Sequence, residues 1–89
     1  MSELEIQIVN RLGLHARAAA RFVHAANRYS CRITVSKGDS TVDGKSILGL
    51  LTLAAARGTR LRLAAHGADE RAALDEIGQL IRDRFGEAE

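Results

Sequence analysis

The chain has 89 residues, of which 46% are hydrophobic, 27% are charged and 3% are aromatic. This balance is that of a folded globular protein and excludes a disordered one, so we expect a single domain over residues 1–89 with a core of Leu, Ile, Val and Ala. The net charge is +2, the basic residues are scattered and the aromatic residues are few. This pattern disfavours nucleic acid as a partner and favours an acidic protein surface.

The sequence also carries expectations about location. Residues Met1 to Gln7 contain no apolar segment, so we expect no signal peptide. There is no apolar run of 18 or more residues, so we expect no membrane insertion. The single cysteine, Cys31, has no internal disulfide partner. Together these features favour a cytoplasmic protein.

The first third of the chain predicts a strand, a loop and a helix. Leu4, Ile6 and Ile8 alternate with Glu5, Gln7 and Val9, and this period of two is typical of a strand with one buried face. A loop over residues 10–14 follows. From residue 16 to 27 the apolar positions recur at helical spacing, so one face of a helix should point inward, with the buried positions Ala19, Phe22, Val23 and Ala26.

The middle of the chain predicts a hairpin and then a short helix. A second strand over residues 31–36 is indicated by Ile33 and Val35, and a third spans residues 40–42, with Lys37-Gly38-Asp39 as the turn between them. Ser46 is a good N-cap for a second helix, which should end at Arg57-Gly58. Gly49 costs about 1 kcal/mol relative to Ala, so this helix should be short or weak.

The last third predicts a strand and a helix. Leu61, Leu63 and Ala65 alternate in a fourth strand that ends at Gly67. Asp69 can cap a third helix, which should end near Gly86 and has the apolar stripe Ala73, Leu74, Ile77, Leu80, Ile81 and Phe85. The element order β-α-β-β-α-β-α predicts an α+β two-layer sandwich, with the helices on one face of the sheet.

His15 is the residue that most clearly suggests chemistry. The segment Gly13-Leu14-His15-Ala16-Arg17 places it where a loop enters the first helix. The first-turn N–H groups there lack intrahelical partners, and the helix dipole is positive at that end. The ring should therefore keep a nucleophilic lone pair, and the oxygens of an attached phosphoryl group would be held by these N–H groups and by the Arg17 guanidinium. From spacing alone, an ordinary N-cap or partly buried histidine explains His15 equally well.

Two longer stretches resemble a known family. Residues 13–20, Gly-Leu-His-Ala-Arg-Ala-Ala-Ala, resemble the active-site signature of HPr, the histidine-containing phosphocarrier family of the bacterial phosphoenolpyruvate-dependent phosphotransferase system. Residues 45–53, Lys-Ser-Ile-Leu-Gly-Leu-Leu-Thr-Leu, resemble the regulatory-serine signature of that family. The resemblance covers essentially the whole chain. Many members carry proline where this chain has Ala18, so we expect a slightly looser first helical turn and the same chemistry.

The resemblance implies a fold and a function. The fold is a four-stranded antiparallel sheet in the order 1-4-2-3 with three helices on one face. The function is that of a phosphocarrier: phosphorylated enzyme I donates a phosphoryl group to Nδ1 of His15, Arg17 assists, and enzyme IIA-type acceptors receive it. Ser46 would be phosphorylated by an HPr kinase/phosphorylase where the organism has one, and is otherwise a plain helix cap. A monomer without a cofactor is expected.

The second helix also suggests a docking surface. Ile47, Leu48 and Leu51 cannot all face the core of so short a helix, so an exposed apolar patch beside His15 is expected. Its predicted rim is formed by Arg17, Arg21, His24 and Lys45. The alternative is that these apolar residues complete the core.

Other functions remain open on the sequence alone. The His and Cys spacings match no zinc pattern, so no metal site is expected. No glycine-rich phosphate loop is present, so the chain should not act as a free-standing enzyme and should receive phosphate from another protein. One alternative is a regulatory protein-binding module acting through Ile47, Leu48 and Leu51, in a nitrogen-related rather than a sugar-uptake branch. The other is a small RNA-binding domain.

Overall fold

The strands form one antiparallel sheet that the helices cover. The computed structural model describes residues 1–89 and has the predicted element order. The strands are β1 (Ser2–Gln7), β2 (Arg32–Lys37), β3 (Ser40–Asp43) and β4 (Arg60–His66), and the helices are α1 (Ala16–Ala26), α2 (Ile47–Thr52) and α3 (Glu70–Arg82). A 3₁₀ turn over Arg84–Gly86 follows α3. The predicted α+β sandwich is therefore confirmed.

The strand order in the sheet is β1-β4-β2-β3, as the resemblance implied. All three strand pairs are antiparallel, and β2 and β3 form the predicted hairpin, in which Lys37 pairs with Ser40. In β4 the buried residues Leu61, Leu63 and Ala65 alternate with more exposed neighbours. This alternation gives the sheet one apolar face for the helices to cover.

The core is mainly aliphatic. A single cluster of 23 buried residues joins the sheet to the helices, and its only aromatic members are Phe22 of α1 and Phe85 of the 3₁₀ turn. Both rings are fully buried. No helix of the protein has the length and apolar character that crossing a membrane requires.

The second helix ends earlier than predicted. We expected it to run to Arg57-Gly58, but it stops at Thr52 and Ala54 adopts a left-handed φ of 50°. The Lys37 side chain at the end of β2 donates from Nζ to the Leu53 carbonyl at 2.9 Å. This cation supports the free carbonyls at the helix end, and a contact so distant in sequence leaves no local signal.

The start and end of α3 also differ from expectation. Asp69 occupies the N-cap position, but its side chain does not cap the helix. Its carboxylate instead accepts hydrogen bonds from the backbone N–H groups of Ser30 and Cys31, at 2.8 and 2.9 Å. The Ser30 N–H is the main cause of the lowered pKa of Asp69. At the other end, α3 stops at Arg82, and Gly86 ends the following 3₁₀ turn rather than the helix.

Candidate functional site

A tight turn at Gly13 positions His15. Gly13 has a φ of +69°, and a Cβ there would lie 2.6 Å from the carbonyl oxygen of Ala55. The next residue, Leu14, is buried and donates its backbone N–H to the same carbonyl at 2.9 Å. Only glycine fits both the left-handed backbone and the close approach. The loop before α1 is thus fixed against the segment that follows α2.

His15 is the N-cap residue of α1, with an extended backbone, but its side chain does not cap the helix. The backbone carbonyl of His15 accepts from the Ala19 N–H at 2.8 Å, which closes the first helical turn. The imidazole is 28% exposed, and its Nε2 makes a short contact with the Glu87 carboxylate. Nδ1 has no protein partner in the structure and is the ring nitrogen left for chemistry.

The Glu87 carboxylate is held on its other side by Asn10. Asn10 is completely buried, and its Nδ2 donates to Glu87 Oε1 at 2.9 Å and to the Gly13 carbonyl at 2.8 Å. Burial alone would raise the pKa of Glu87, but the hydrogen bonds from Asn10 and His15 outweigh it and leave that pKa below its usual value. Glu87 is therefore a carboxylate anion beside the imidazole at neutral pH.

Asn10 and Glu87 are site residues that the sequence analysis missed. They are separated by 77 positions, and Glu87 lies 72 positions from His15, so no local spacing connects them. The sequence contains only a weak signal for the contact between the tail and His15. Phe85-Gly86 near the end of the chain is an apolar residue followed by a turn residue, which is compatible with a docked tail.

Arg17 is exposed and borders two depressions of the surface. One is a cleft of about 520 Å³, which it lines together with His15, Leu12 and Glu87. The other is a groove of about 800 Å³ between α1 and α3, with Arg17, Arg21 and His24 along its α1 side. The structure thus brings Arg17 to His15, and it places Arg21 and His24 on the adjoining groove. One guanidinium nitrogen of Arg21, Nη1, already donates a hydrogen bond to the Phe85 carbonyl.

The two residues before α2 have different roles. Ser46 is the N-cap, and its Oγ accepts from the Gly49 N–H at 3.0 Å, so the predicted cap is confirmed. The Lys45 Nζ donates to the Tyr29 carbonyl at 2.6 Å. Lys45 therefore ties the start of α2 to the segment after α1, and its charge is not free on the predicted rim.

The predicted apolar patch is only partly exposed. Leu48 is 76% exposed and Ile47 is 41% exposed, whereas Leu51 is half-buried and packs against the core. Leu50 is fully buried, as expected. Leu12 in the loop before His15 is 59% exposed and was not predicted. The patch therefore consists of Ile47 and Leu48 on a helix that packs against α1.

The remaining His and Cys residues do not form a metal centre. No three His, Cys, Asp or Glu side chains lie close enough together to hold a metal ion. Cys31 is buried, and burial, with the nearby Asp69 carboxylate as a further cause, raises the pKa of its thiol. A raised pKa disfavours the thiolate, the form that binds metals.

Comparison with known proteins connects this site to a family. Residues 2–83 match the family model for the PTS HPr component phosphorylation site. The phosphocarrier protein HPr of Pseudomonas aeruginosa is 51% identical, with 100% of both chains covered. The solved structure of HPr-C-His from Thermoanaerobacter tengcongensis has a TM-score of 0.96 at 42% identity over 100% of both chains. An HPr dimer from the same organism has a TM-score of 0.79 at 42% identity over 98% of this chain and 100% of that one.

Proposed function

The chain belongs to the HPr family of phosphotransferase-system phosphocarriers, and from this premise we propose that it accepts a phosphoryl group on Nδ1 of His15. The donor in this proposal is phosphorylated enzyme I, charged from phosphoenolpyruvate, and enzyme IIA-type proteins are the acceptors. The observation that carries the proposal is the position of His15. Its free ring nitrogen lies at the N-terminus of α1, in an open cleft that Arg17 also lines.

The proposed transfer needs little beyond positioning and charge. The Nδ1 lone pair attacks phosphorus, the bond from phosphorus to the donor breaks, and the electron pair of that bond returns to the donor. The N–H groups of the first α1 turn and the Arg17 guanidinium then face the phosphoryl oxygens. Onward transfer is the same step with an acceptor as the nucleophile.

The neighbouring helices α1 and α2 carry groups that suit brief protein contacts. Ile47 and Leu48 supply exposed apolar area on α2, which packs against α1, and Arg17 and His24 supply polar and cationic groups on α1. An acidic partner surface complements this arrangement, and electrostatic attraction speeds association more than it strengthens binding. We propose that enzyme I and the acceptors use this shared face in turn.

Ser46 is the proposed regulatory position. Its hydroxyl caps α2 next to Ile47, so a phosphate there would add negative charge at the edge of the shared face that carries Ile47 and Leu48. An acidic partner would then be repelled. This regulation requires an HPr kinase/phosphorylase as a further partner.

The proposal is tested by phosphate incorporation. The purified protein is incubated with labelled phosphoenolpyruvate and enzyme I, and we expect one acid-labile phosphate per chain. His15→Ala should still fold and remain unlabelled. His66→Ala, which changes an exposed histidine at the end of β4, is the matched control and should label fully. Full labelling of His15→Ala would overturn the proposal.

A further inference from the structure

We propose that Glu87, held in place by Asn10, is a positioning residue for His15: it fixes the ring so that Nδ1 presents the lone pair, and its negative charge balances the positive charge that the ring acquires on phosphorylation. The inference rests on the proposed function and adds two residues to it. Neither Glu87 nor Asn10 belongs to the sequence signatures around His15 and Ser46.

Both carboxylate oxygens of Glu87 are held by other side chains, an arrangement that we call the clamp. One carboxylate oxygen of Glu87 contacts His15 Nε2, and the other accepts from Asn10 Nδ2 at 2.9 Å. The same Asn10 amide donates to the Gly13 carbonyl at 2.8 Å, so a fully buried side chain joins the tail to the turn that aims His15. The Glu87 side chain is only 16% exposed, and its orientation is therefore restricted.

The rest of the tail is fixed at several points. Phe85 is buried in the core, and its carbonyl accepts from Arg21 of α1. The Arg11 N–H donates to the Glu89 carbonyl at 2.7 Å. Arg84 and Phe85 both have left-handed backbones, with φ values of 60° and 55°. Such a conformation is costly for two consecutive non-glycine residues, so the contacts that bring the tail back over the loop must outweigh that cost.

The contact with Glu87 determines where the imidazole proton lies. A neutral imidazole has one N–H, and the hydrogen bond made by one nitrogen decides which nitrogen carries it. A carboxylate at Nε2 can only accept, so it keeps the proton on Nε2 and leaves the lone pair on Nδ1. This is the same logic by which a buried carboxylate orients a catalytic histidine in hydrolase triads.

The charge of Glu87 matters during transfer itself. When Nδ1 forms its bond to phosphorus while Nε2 retains its proton, the ring acquires a positive charge. Glu87 lies directly beside that charge, and the lowered pKa of its carboxyl keeps it ionised at neutral pH. A fixed carboxylate therefore stabilises the ring more after transfer than before it, which favours acceptance of the phosphoryl group.

Transfer kinetics separate orientation from charge. Glu87→Gln removes the charge and keeps one oxygen that can accept from Nε2–H, while its amide NH2 then faces the Asn10 donor. Glu87→Ala removes the charge and both acceptors. We expect the rate of phosphate acceptance from enzyme I to fall at least about tenfold in Glu87→Ala, as for loss of a charge-assisted hydrogen bond, and by less in Glu87→Gln. Glu5→Ala is the matched control: this glutamate of β1 is exposed, pairs only with Arg60, and should leave the rate unchanged.

Nuclear magnetic resonance of the unphosphorylated protein gives a second readout that requires no partner. In the wild type we expect an Nε2–H proton that exchanges slowly enough with water to be observed. It should persist in Glu5→Ala, exchange faster in Glu87→Gln, and disappear in Glu87→Ala. Asn10→Ala should also lose it, since the carboxylate is then no longer held. If Asn10→Ala does not fold, the Glu87 series alone decides.

The two failures are distinguishable. If the wild type takes no phosphate from enzyme I, the proposed function fails, whatever the resonance experiment shows. If the wild type is phosphorylated, but Glu87→Ala matches it in both transfer rate and the Nε2–H signal, the positioning role of Glu87 is wrong and the proposed function stands. Melting temperatures of Glu87→Ala and Glu5→Ala well above the assay temperature would exclude a general loss of structure as the cause of a slower rate.

Discussion

Substitutions of two leucines of α2 can separate an effect on docking from an effect on stability. Leu48 is 76% exposed and Leu50, two residues further on, is completely buried. Both belong to the same six-residue helix, and the substitution Leu→Ala removes the same atoms from each. The pair is therefore matched in chemistry and secondary structure, and it differs in burial alone.

The expected magnitudes follow from that burial. Leu50→Ala should lower the free energy of unfolding by about 2–5 kcal/mol, because it leaves a cavity in the core beneath α2. For a domain of this size, 2 kcal/mol corresponds to a fall in melting temperature of roughly 8–16 °C. Leu48→Ala removes little buried area, and its effect on stability should stay within about 0.5 kcal/mol.

Binding to enzyme I should show the opposite order. Leu48→Ala should weaken the complex, by about tenfold if Leu48 is an anchor of the interface, and Leu48→Asp should weaken it further. Urea unfolding measures stability, and isothermal titration calorimetry measures affinity. A large loss of stability in Leu48→Ala would place Leu48 in the core. Unchanged affinity in both Leu48 variants would exclude this surface from docking.

Three further predictions concern charge and capping. Arg17→Ala should slow phosphoryl transfer, and Arg17→Lys should restore the rate only in part, since lysine lacks the planar guanidinium group that can make two hydrogen bonds to phosphate. A wild-type rate in Arg17→Ala would show that the N-terminus of α1 is sufficient to stabilise the phosphoryl group. Ser46→Ala should cost about 0.5–2 kcal/mol of stability through the lost cap. Ser46→Asp should keep or raise the melting temperature and accept phosphate more slowly than the wild type, with a deficit that shrinks at high salt; a wild-type rate at low salt would reduce Ser46 to a cap. Glu70 has its pKa lowered from 4.5 to about 2, chiefly by the Ser2 hydroxyl. The stability that the ionised Glu70 contributes is therefore present above about pH 4.5 and lost as the pH falls towards 2. In urea unfolding, the difference in stability between the wild type and Glu70→Gln should shrink over that range. A difference that does not change with pH would contradict the lowered pKa of Glu70.

The parts of the fold that the sequence predicted are those with strong local patterns. The alternation of Leu61, Leu63 and Ala65 fixed β4, and the hydroxyl of Ser46 fixed the start of α2. In both cases the neighbouring residues in the sequence supply the whole signal. The strand order required the family resemblance, because periodicity does not say which strands are neighbours.

The errors have a common physical origin in contacts between distant segments. The end of α2 depends on Lys37, which reaches the Leu53 carbonyl from β2. Asp69 fails to cap α3 because the backbone N–H groups of Ser30 and Cys31 bind its carboxylate instead.

The same holds for the site. His15, Arg17 and the Gly13 turn are close in sequence and were identified together. The clamp of Asn10 and Glu87 depends on the tail folding back over the loop, and only the structure shows it.

The most direct test of the central claim is to locate the phosphate on the chain. After incubation with phosphoenolpyruvate and enzyme I, mass spectrometry under non-acidic conditions should find one phosphoryl group, in the peptide that contains His15. Nuclear magnetic resonance should place it on Nδ1, and addition of an enzyme IIA-type acceptor should remove it. A phosphate on His24, on His66 or on Nε2 of His15 would contradict the account, and so would the absence of any phosphate.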